Sequence, residues 1–265
     1  MSSNAHVPVL LGPVLEGLKI KPGGCYVDGT FGRGGHSREI LKQLGNDGRL
    51  IAIDRDPQAI ASVSTSLTED PRFELVKGEI AQMETIIGER NLVENVDGIL
   101  FDLGVSSPQL DEADRGFSFM RDGPLDMRMD PDSGTSASDW LAAVEERELK
   151  QVLRKYGEEN NAGRIARAIV AARKESPITH TAQLARIVEV AAPKRGQKIH
   201  PSTKSFQAIR IAITGELEQL EAALEQSVNV MKKGARLCVI SFHSLEDRIV
   251  KRFMRDASRE TEQFR

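Results

Sequence analysis

Cysteine is nearly absent: 265 residues hold two, Cys25 and Cys238, each inside an apolar run. Such a pair reads as buried thiols in a reducing compartment and argues against a disulfide scaffold. No His/Cys group has ligand spacing, so no structural zinc or other protein-bound metal is expected. No apolar stretch approaches the roughly 18 residues that span a bilayer. The N-terminus, Met-Ser-Ser-Asn-Ala-His, lacks a positive charge followed by an apolar run, so no secretory signal is expected and the cytoplasm is the default. No repeat or low-complexity tract is present. What remains, 40% hydrophobic and 28% charged residues, is an ordinary soluble composition, long enough for one large domain or two.

The net charge of −3 conceals an uneven distribution. From Arg147 to Lys204 there are 13 Lys or Arg residues against 5 acids, whereas acids dominate from Asp111 to Glu146. A local basic block in an acidic chain points to a polyanion partner; the alternative is a solvated helical face.

The most informative stretch is Cys25-Tyr-Val-Asp-Gly-Thr-Phe-Gly-Arg-Gly-Gly-His36. A short apolar run ends at Asp28, a glycine-dense turn follows, and Ser37 to Leu41 are helix-like. Strand, glycine turn and helix together bring backbone N–H groups to a nucleotide-like ligand. Gly32, Gly34 and Gly35 tolerate positive φ and leave no Cβ in the ligand's way. Asp54 closes the next apolar run, Leu50 to Ile53, 20 residues beyond Gly34, about where an acid meets a ribose diol. A pyrophosphate would be repelled at Asp28. The amino and sulfonium groups of S-adenosylmethionine would be welcome there. The spacing Asp28, Gly32, Gly34 resembles motif I of class I methyltransferases, with Thr30 where the first glycine usually falls. The plainer alternative is a turn that only connects strand to helix.

Strand-like runs at 25–28, 49–54, 73–76, 97–103 and 236–242 alternate at first with helical stretches, which predicts a parallel sheet covered on both faces. About 130 mostly helical residues separate the fourth and fifth runs, too many for a simple crossover. Ser136-Ala-Ser-Asp139 reads as a capping box before Trp140, and Ala162 to Lys174 and Thr181 to Ala192 carry helical periodicity. The expected fold is α/β: a class I, Rossmann-like methyltransferase sheet formed by 1–114 and 206–265, with an all-helical domain inserted at 115–205. Residues 206–232 read as one long returning helix ended by Gly234. Two further strands would be expected after the fifth, where the chain stops at Arg265.

Several longer motifs occur together: His6-Val-Pro-Val-Leu10, Asp102-Leu-Gly-Val-Ser-Ser-Pro-Gln109, Arg115 to Asp130, Lys155-Tyr-Gly-Glu-Glu159 and Ser241 to Lys251. From His6 to about Ser258 the chain resembles the RsmH (MraW) family, which methylates N4 of a cytidine in the decoding region of 16S ribosomal RNA. The resemblance implies S-adenosylmethionine as methyl donor and RNA of the small subunit as substrate and partner. It implies a donor site from Gly34, Gly35, His36, Asp54, Asp102 and Gln109, which joins Asp28 and Gly32 of the strand–turn reading. Ile80 would cover the adenine where relatives can carry an aromatic residue; whether Glu79 joins it is open.

Neither cysteine follows a proline, which argues for amine over carbon-5 methylation. The Asp-Pro-Pro-Tyr signature of many amino methyltransferases is absent, and Asp102 to Pro108 occupies its place. Asp102, Ser106, Ser107 and Pro108 are therefore candidate catalytic residues, and His243, where the fifth strand ends beside Phe242 and Ser244, is another that could face the target base. The two serines also suit a turn, Ser244 with Asp247 suits a capping box, and His36 suits backbone support. Trp140, Met120, Met127 and Met129 fit core better than base stacking, and Asp126 and Arg128 are candidates for ordering the pocket. Arg164, Arg167, Arg173, Lys174, Lys194, Arg195, Lys198 and Lys204 would face the RNA backbone. Competing readings are a class I methyltransferase on another substrate, an RNA-binding assembly factor that senses S-adenosylmethionine, and an NAD-dependent oxidoreductase, disfavoured by Asp28. The sequence leaves the oligomeric state, a homodimer included, open.

Overall fold

The computed structural model describes residues 8–193 and 200–259. His6, Lys194, Arg195 and Lys198 lie outside them. The chain divides into two compact units, one formed by 1–104 and 217–265, the other by 105–216.

The first unit is built on five parallel strands: β1 (Cys25–Asp28), β2 (Arg49–Asp54), β3 (Phe73–Lys77), β4 (Val96–Asp102) and β5 (Met231–Ile240). Their order is β3-β2-β1-β4-β5. Period-two alternation sends successive side chains to opposite faces. Val27, Ile51, Ile53, Ile99 and Phe101 pack with Met83, Ile87, Leu220 and Leu224 on one side. Tyr26, Leu50, Ala52 and Leu100 pack with Val14, Leu18, Ile40 and Leu41 on the other. Leu50 to Ile53 are wholly buried because both faces are covered. Burying each large aliphatic side chain here stabilises the fold by about 1.5–3 kcal/mol.

The second unit is mainly helical: Ala137–Ala143, Glu146–Gly157, Ala162–Glu175, Thr181–Ala191 and Ser202–Thr214. Leu149 and Leu153, Ile165 and Ile169, and Leu184 and Val188 recur at i, i+4 and join one core with Leu141, Phe206 and Ile209. The Ser136 side chain accepts from the Asp139 N–H and opens the first of these helices. Among the described residues, no helix is long and apolar enough to cross a membrane.

Two details differ from the sequence reading. Residues 206–232 are not one helix: Gly215, at φ 61°, caps Ser202–Thr214, and a new helix, Glu216–Val230, follows. β5 begins at Met231, so Gly234, at φ 83°, lies inside a strand. The β4–β5 register jumps between Val96↔Met231 and Gly98↔Arg236, an irregularity at which a glycine accommodates the bend.

Candidate functional site

Three strands of the first unit end on acids: β1 at Asp28, β2 at Asp54 and β4 at Asp102. The carboxyl ends of a parallel sheet are where such folds bind ligands. The turn after β1 is tied to its neighbours by backbone bonds, Gly29 N–H to Leu100 O at 2.9 Å and Phe31 N–H to Ile53 O at 3.0 Å.

Asp28 is 1% exposed. It accepts from Ser37 Oγ at 2.6 Å and from the Thr30 N–H at 3.2 Å. Burial pushes its carboxyl above the ordinary range. The side chain folds under the turn, so Asp28 is placed to hold the turn's shape rather than to face a cation itself, as the sequence reading had it. The glycines also divide. A Cβ on Gly34 would lie 2.7 Å from the Phe31 ring, and one on Gly35 would lie 2.6 Å from Pro8, so both are glycines for packing inside the turn. A Cβ on Gly32, at φ 54°, would meet only Thr30 O at 3.9 Å. Of the three, Gly32 alone leaves open space.

Asp54 links two turns, accepting from the Gly32 N–H at 2.7 Å and the Asp56 N–H at 2.9 Å. Burial nonetheless pushes its carboxyl up. Each oxygen keeps a second lone pair, so a hydroxyl can still donate to it. Ile80 opens a 3-10 turn after β3 and packs, partly buried, against the core under the sheet. Beside it, the Glu79 N–H donates to Gln82 at 3.0 Å and the Glu79 carboxylate lies 3.6 Å from Arg55.

Asp102, the third acid, is only partly buried, with its side chain 26% exposed. Its N–H donates to Thr30 Oγ1 at 2.7 Å. Oδ2 lies 3.6 Å from His36 Nδ1, and the buried Oδ1 accepts no hydrogen bond from the described residues. Burial raises its carboxyl to about 6, with His36 opposing and the charges of Asp28 and Glu246 adding to the rise. His36 is 6% exposed, and its Nε2 lies 3.0 Å from Val9 O.

His243 is drawn into a helix start. The helix is Ser244–Ala257, and its cap is His243 with Glu246, one residue earlier than the expected Ser244 and Asp247. Glu246, 2% exposed, accepts from the N–H groups of Phe242 at 2.8 Å and His243 at 3.3 Å. Its Oε1 lies 3.2 Å from His243 Nε2. Asp247 pairs instead with Lys251 at 2.8 Å. The sequence assigns no bonding role to Thr30, Ser37 or Glu246, which the structure sets against Asp102, Asp28 and Phe242. For Glu246 the spacing was present, but a histidine cap hides the usual Ser/Thr-x-x-Glu pattern.

In the second unit, Ser106 caps the short helix Ser107–Asp111, with Pro108 in its first turn and Ser107 exposed. Gln109 closes the reciprocal box, accepting the Ser106 N–H at 2.9 Å. It is 5% exposed, and its Nε2 donates to Met129 Sδ at 3.2 Å. The expected donor contact thus has its amide engaged within its own unit. Asp126 and Arg128 pair with each other at 2.6 Å. Met127 and Met129 are core and Trp140 packs against it, whereas Met120 is 81% exposed. Arg164, Arg167 and Lys174 are exposed on one helix. Arg173 instead donates to the carbonyls of Leu141 and Val144 and closes a helix end, and Lys204 donates to Glu158 O at 3.0 Å.

Among solved structures, an rRNA methylase from Streptococcus thermophilus is 19% identical over 38% of this chain and 58% of its own, with a TM-score of 0.29. Aeropyrum pernix fibrillarin, solved with bound S-adenosyl-L-methionine, is 18% identical over 37% of this chain and 38% of its own, with a TM-score of 0.27. The chain thus matches less than two thirds of either structure, and likenesses at these scores decide nothing about it. The family match is of another order: the model of the MraW methylase family matches residues 3–263. The chain belongs to the MraW methylase family.

Proposed function

We propose that this chain methylates N4 of a cytidine in the decoding region of 16S ribosomal RNA, within the small subunit and in the cytoplasm. The observation that carries the reading is the family match over residues 3–263. The residues present fit the donor. Asp102 offers a buried acceptor atom with no partner among the described residues, Asp54 can accept from a diol, and space is open beside Gly32. Such a rim suits cationic groups and disfavours pyrophosphate.

In this reading Asp54 holds the ribose, Ile80 covers the adenine, and Asp102 faces the cationic end. When bound, S-adenosylmethionine supplies an electrophilic methyl group on a sulfonium. The cytosine amine is a poor nucleophile because its lone pair is conjugated into the ring. An acceptor for one N4–H turns that lone pair out of conjugation and aligns it, and orientation of this kind supplies much of the acceleration. Asp102 can fill that role at neutral pH, where a carboxyl raised to about 6 is mostly ionised. Ser106, Ser107 and the backbone around Pro108, the other acceptors expected from sequence, belong to the second unit. Arg164, Arg167 and Lys174 would track RNA phosphates, and the second unit would be the RNA-recognising one.

The test is incubation with labelled donor and small subunits from cells lacking the enzyme, followed by mass spectrometry of nucleosides. N4-methylcytidine is the expected product. Methylation at carbon 5, or donor binding without any transfer, would overturn the reading, the latter in favour of an assembly factor.

A further inference from the structure

We propose that Phe242 is the surface on which the target base stacks. This rests on the function proposed above and adds the residue that positions the base. Phe242 is 58% exposed, whereas Phe31, Phe101, Phe117 and Phe206 are buried. Single exposed apolar side chains are ordinary, so exposure alone decides nothing. What distinguishes Phe242 is how and where it is held.

Ile240, the last residue of β5, is paired with Asp102, the last of β4, and the Leu103 N–H donates to Ile240 O at 3.0 Å. Two residues on, the Phe242 N–H donates to Glu246 Oε2 at 2.8 Å. Glu246 is 2% exposed and sits in the first turn of a 14-residue helix, so the backbone of Phe242 is clamped on both sides. The ring lies 3.5 Å from where a Gly104 Cβ would stand, and Gly104 has φ 93°. The ring thus has backbone behind it and solvent before it, at the same strand ends that carry Asp102.

A fixed aromatic ring open to solvent is what a base requires for stacking, since every base offers a π-face. It also replaces what the chain lacks: the Asp-Pro-Pro-Tyr type of signature, with its aromatic residue, is absent after β4. Stacking on Phe242 would hold the ring plane while an acceptor orients the amine. Stacking does not tell cytosine from other bases, so base identity would be read by polar groups elsewhere.

The test compares wild type with Phe242→Ala, Phe242→Leu, Phe242→Tyr and Phe242→Trp, using small ribosomal subunits from cells lacking the enzyme and labelled donor. The expected result is a fall in kcat/KM for the subunit of about ten- to a hundredfold in the alanine variant. The leucine variant should fall nearly as far, and the tyrosine and tryptophan variants should stay within about threefold of wild type. Donor affinity by calorimetry should be unchanged in all four. An alanine variant with unaltered kcat/KM overturns the proposal, as does a parallel loss of donor affinity, which would mark a merely structural role. A wild-type protein that makes no N4-methylcytidine refutes the functional reading instead, and calorimetry with the donor tells the two failures apart.

Discussion

His36 Nδ1 stands 3.6 Å from Asp102 Oδ2, while the other ring nitrogen, Nε2, stands 3.0 Å from the carbonyl oxygen of Val9. A carbonyl only accepts, so Nε2 carries the proton in that contact. A neutral ring would then turn the Nδ1 lone pair toward the carboxyl. The contact is favourable when one proton lies on either partner. This couples the β1 turn, through His36, to the acid that ends β4.

The coupling has a sign that can be measured. The Asp102 carboxyl rises from 3.8 to about 6 on folding, chiefly through burial. Between those values the folded chain binds more protons, so stability falls as pH rises through that window and the penalty is complete above it. Asp102→Asn should remove the fall and leave the protein more stable at pH 7.5 by about 1–2 kcal/mol, a figure reduced for the partial exposure of the group. Urea unfolding from pH 4 to 8 checks this. An asparagine variant with the same pH profile as wild type would contradict it.

The same residue separates binding from chemistry. Asp102→Ala should leave a folded protein that transfers little methyl. If its role is the donor contact, the donor KM rises; if it accepts from the amine in the transition state, kcat falls. Ser107→Ala should be milder, because backbone acceptors near Pro108 remain. Full activity of Asp102→Ala at saturating donor would remove Asp102 from the chemical step.

Asp54→Ala should weaken donor binding by about 1.5–3 kcal/mol through loss of a charged-group hydrogen bond to the ribose. The Gly32 and Asp56 N–H groups also lose their acceptor, so Asp54→Asn, which keeps an oxygen, should be the gentler change. Calorimetry with the demethylated donor reads both, and NAD should not bind.

Charge reversal of Arg164, Arg167 and Lys174 together should weaken RNA binding and reduce its salt slope by about 2–3. Donor affinity should hardly move. An equal loss of both ligands would mean that this helix supports the fold instead.

Arg173, on the same helix, should behave differently. Its guanidinium satisfies two carbonyls at the end of Ala137–Ala143. Arg173→Ala should lower stability by about 2–3 kcal/mol. The salt slope of RNA binding should change less than with Arg167→Ala, and a thermal melt beside a filter-binding series distinguishes the two.

The sequence by itself determined the sheet and the place of its ligand edge. Apolar runs bounded by Asp28 and Asp54, at strand length and with helices between them, admit little besides a parallel sheet with acids at its carboxyl ends. The helices near 162–175 and 181–191 were legible because apolar spacing and prolines are local signals. Only tertiary structure decided what each polar group does. Whether Asp28 faces a ligand or Ser37 depends on how the turn folds over it, and whether Gly35 is a ligand's glycine or Pro8's depends on packing from outside the motif. The break at Gly215 and the early start of β5 are not legible in the sequence, because a continuous helical pattern does not show where the sheet needs its next strand. Arg173 and Arg167 read alike in sequence, yet Arg173 donates to two carbonyls and Arg167 is exposed with no such bond among the described residues. Hydrogen bonds between residues distant in the chain fix these assignments, and one-dimensional spacing carries no record of them.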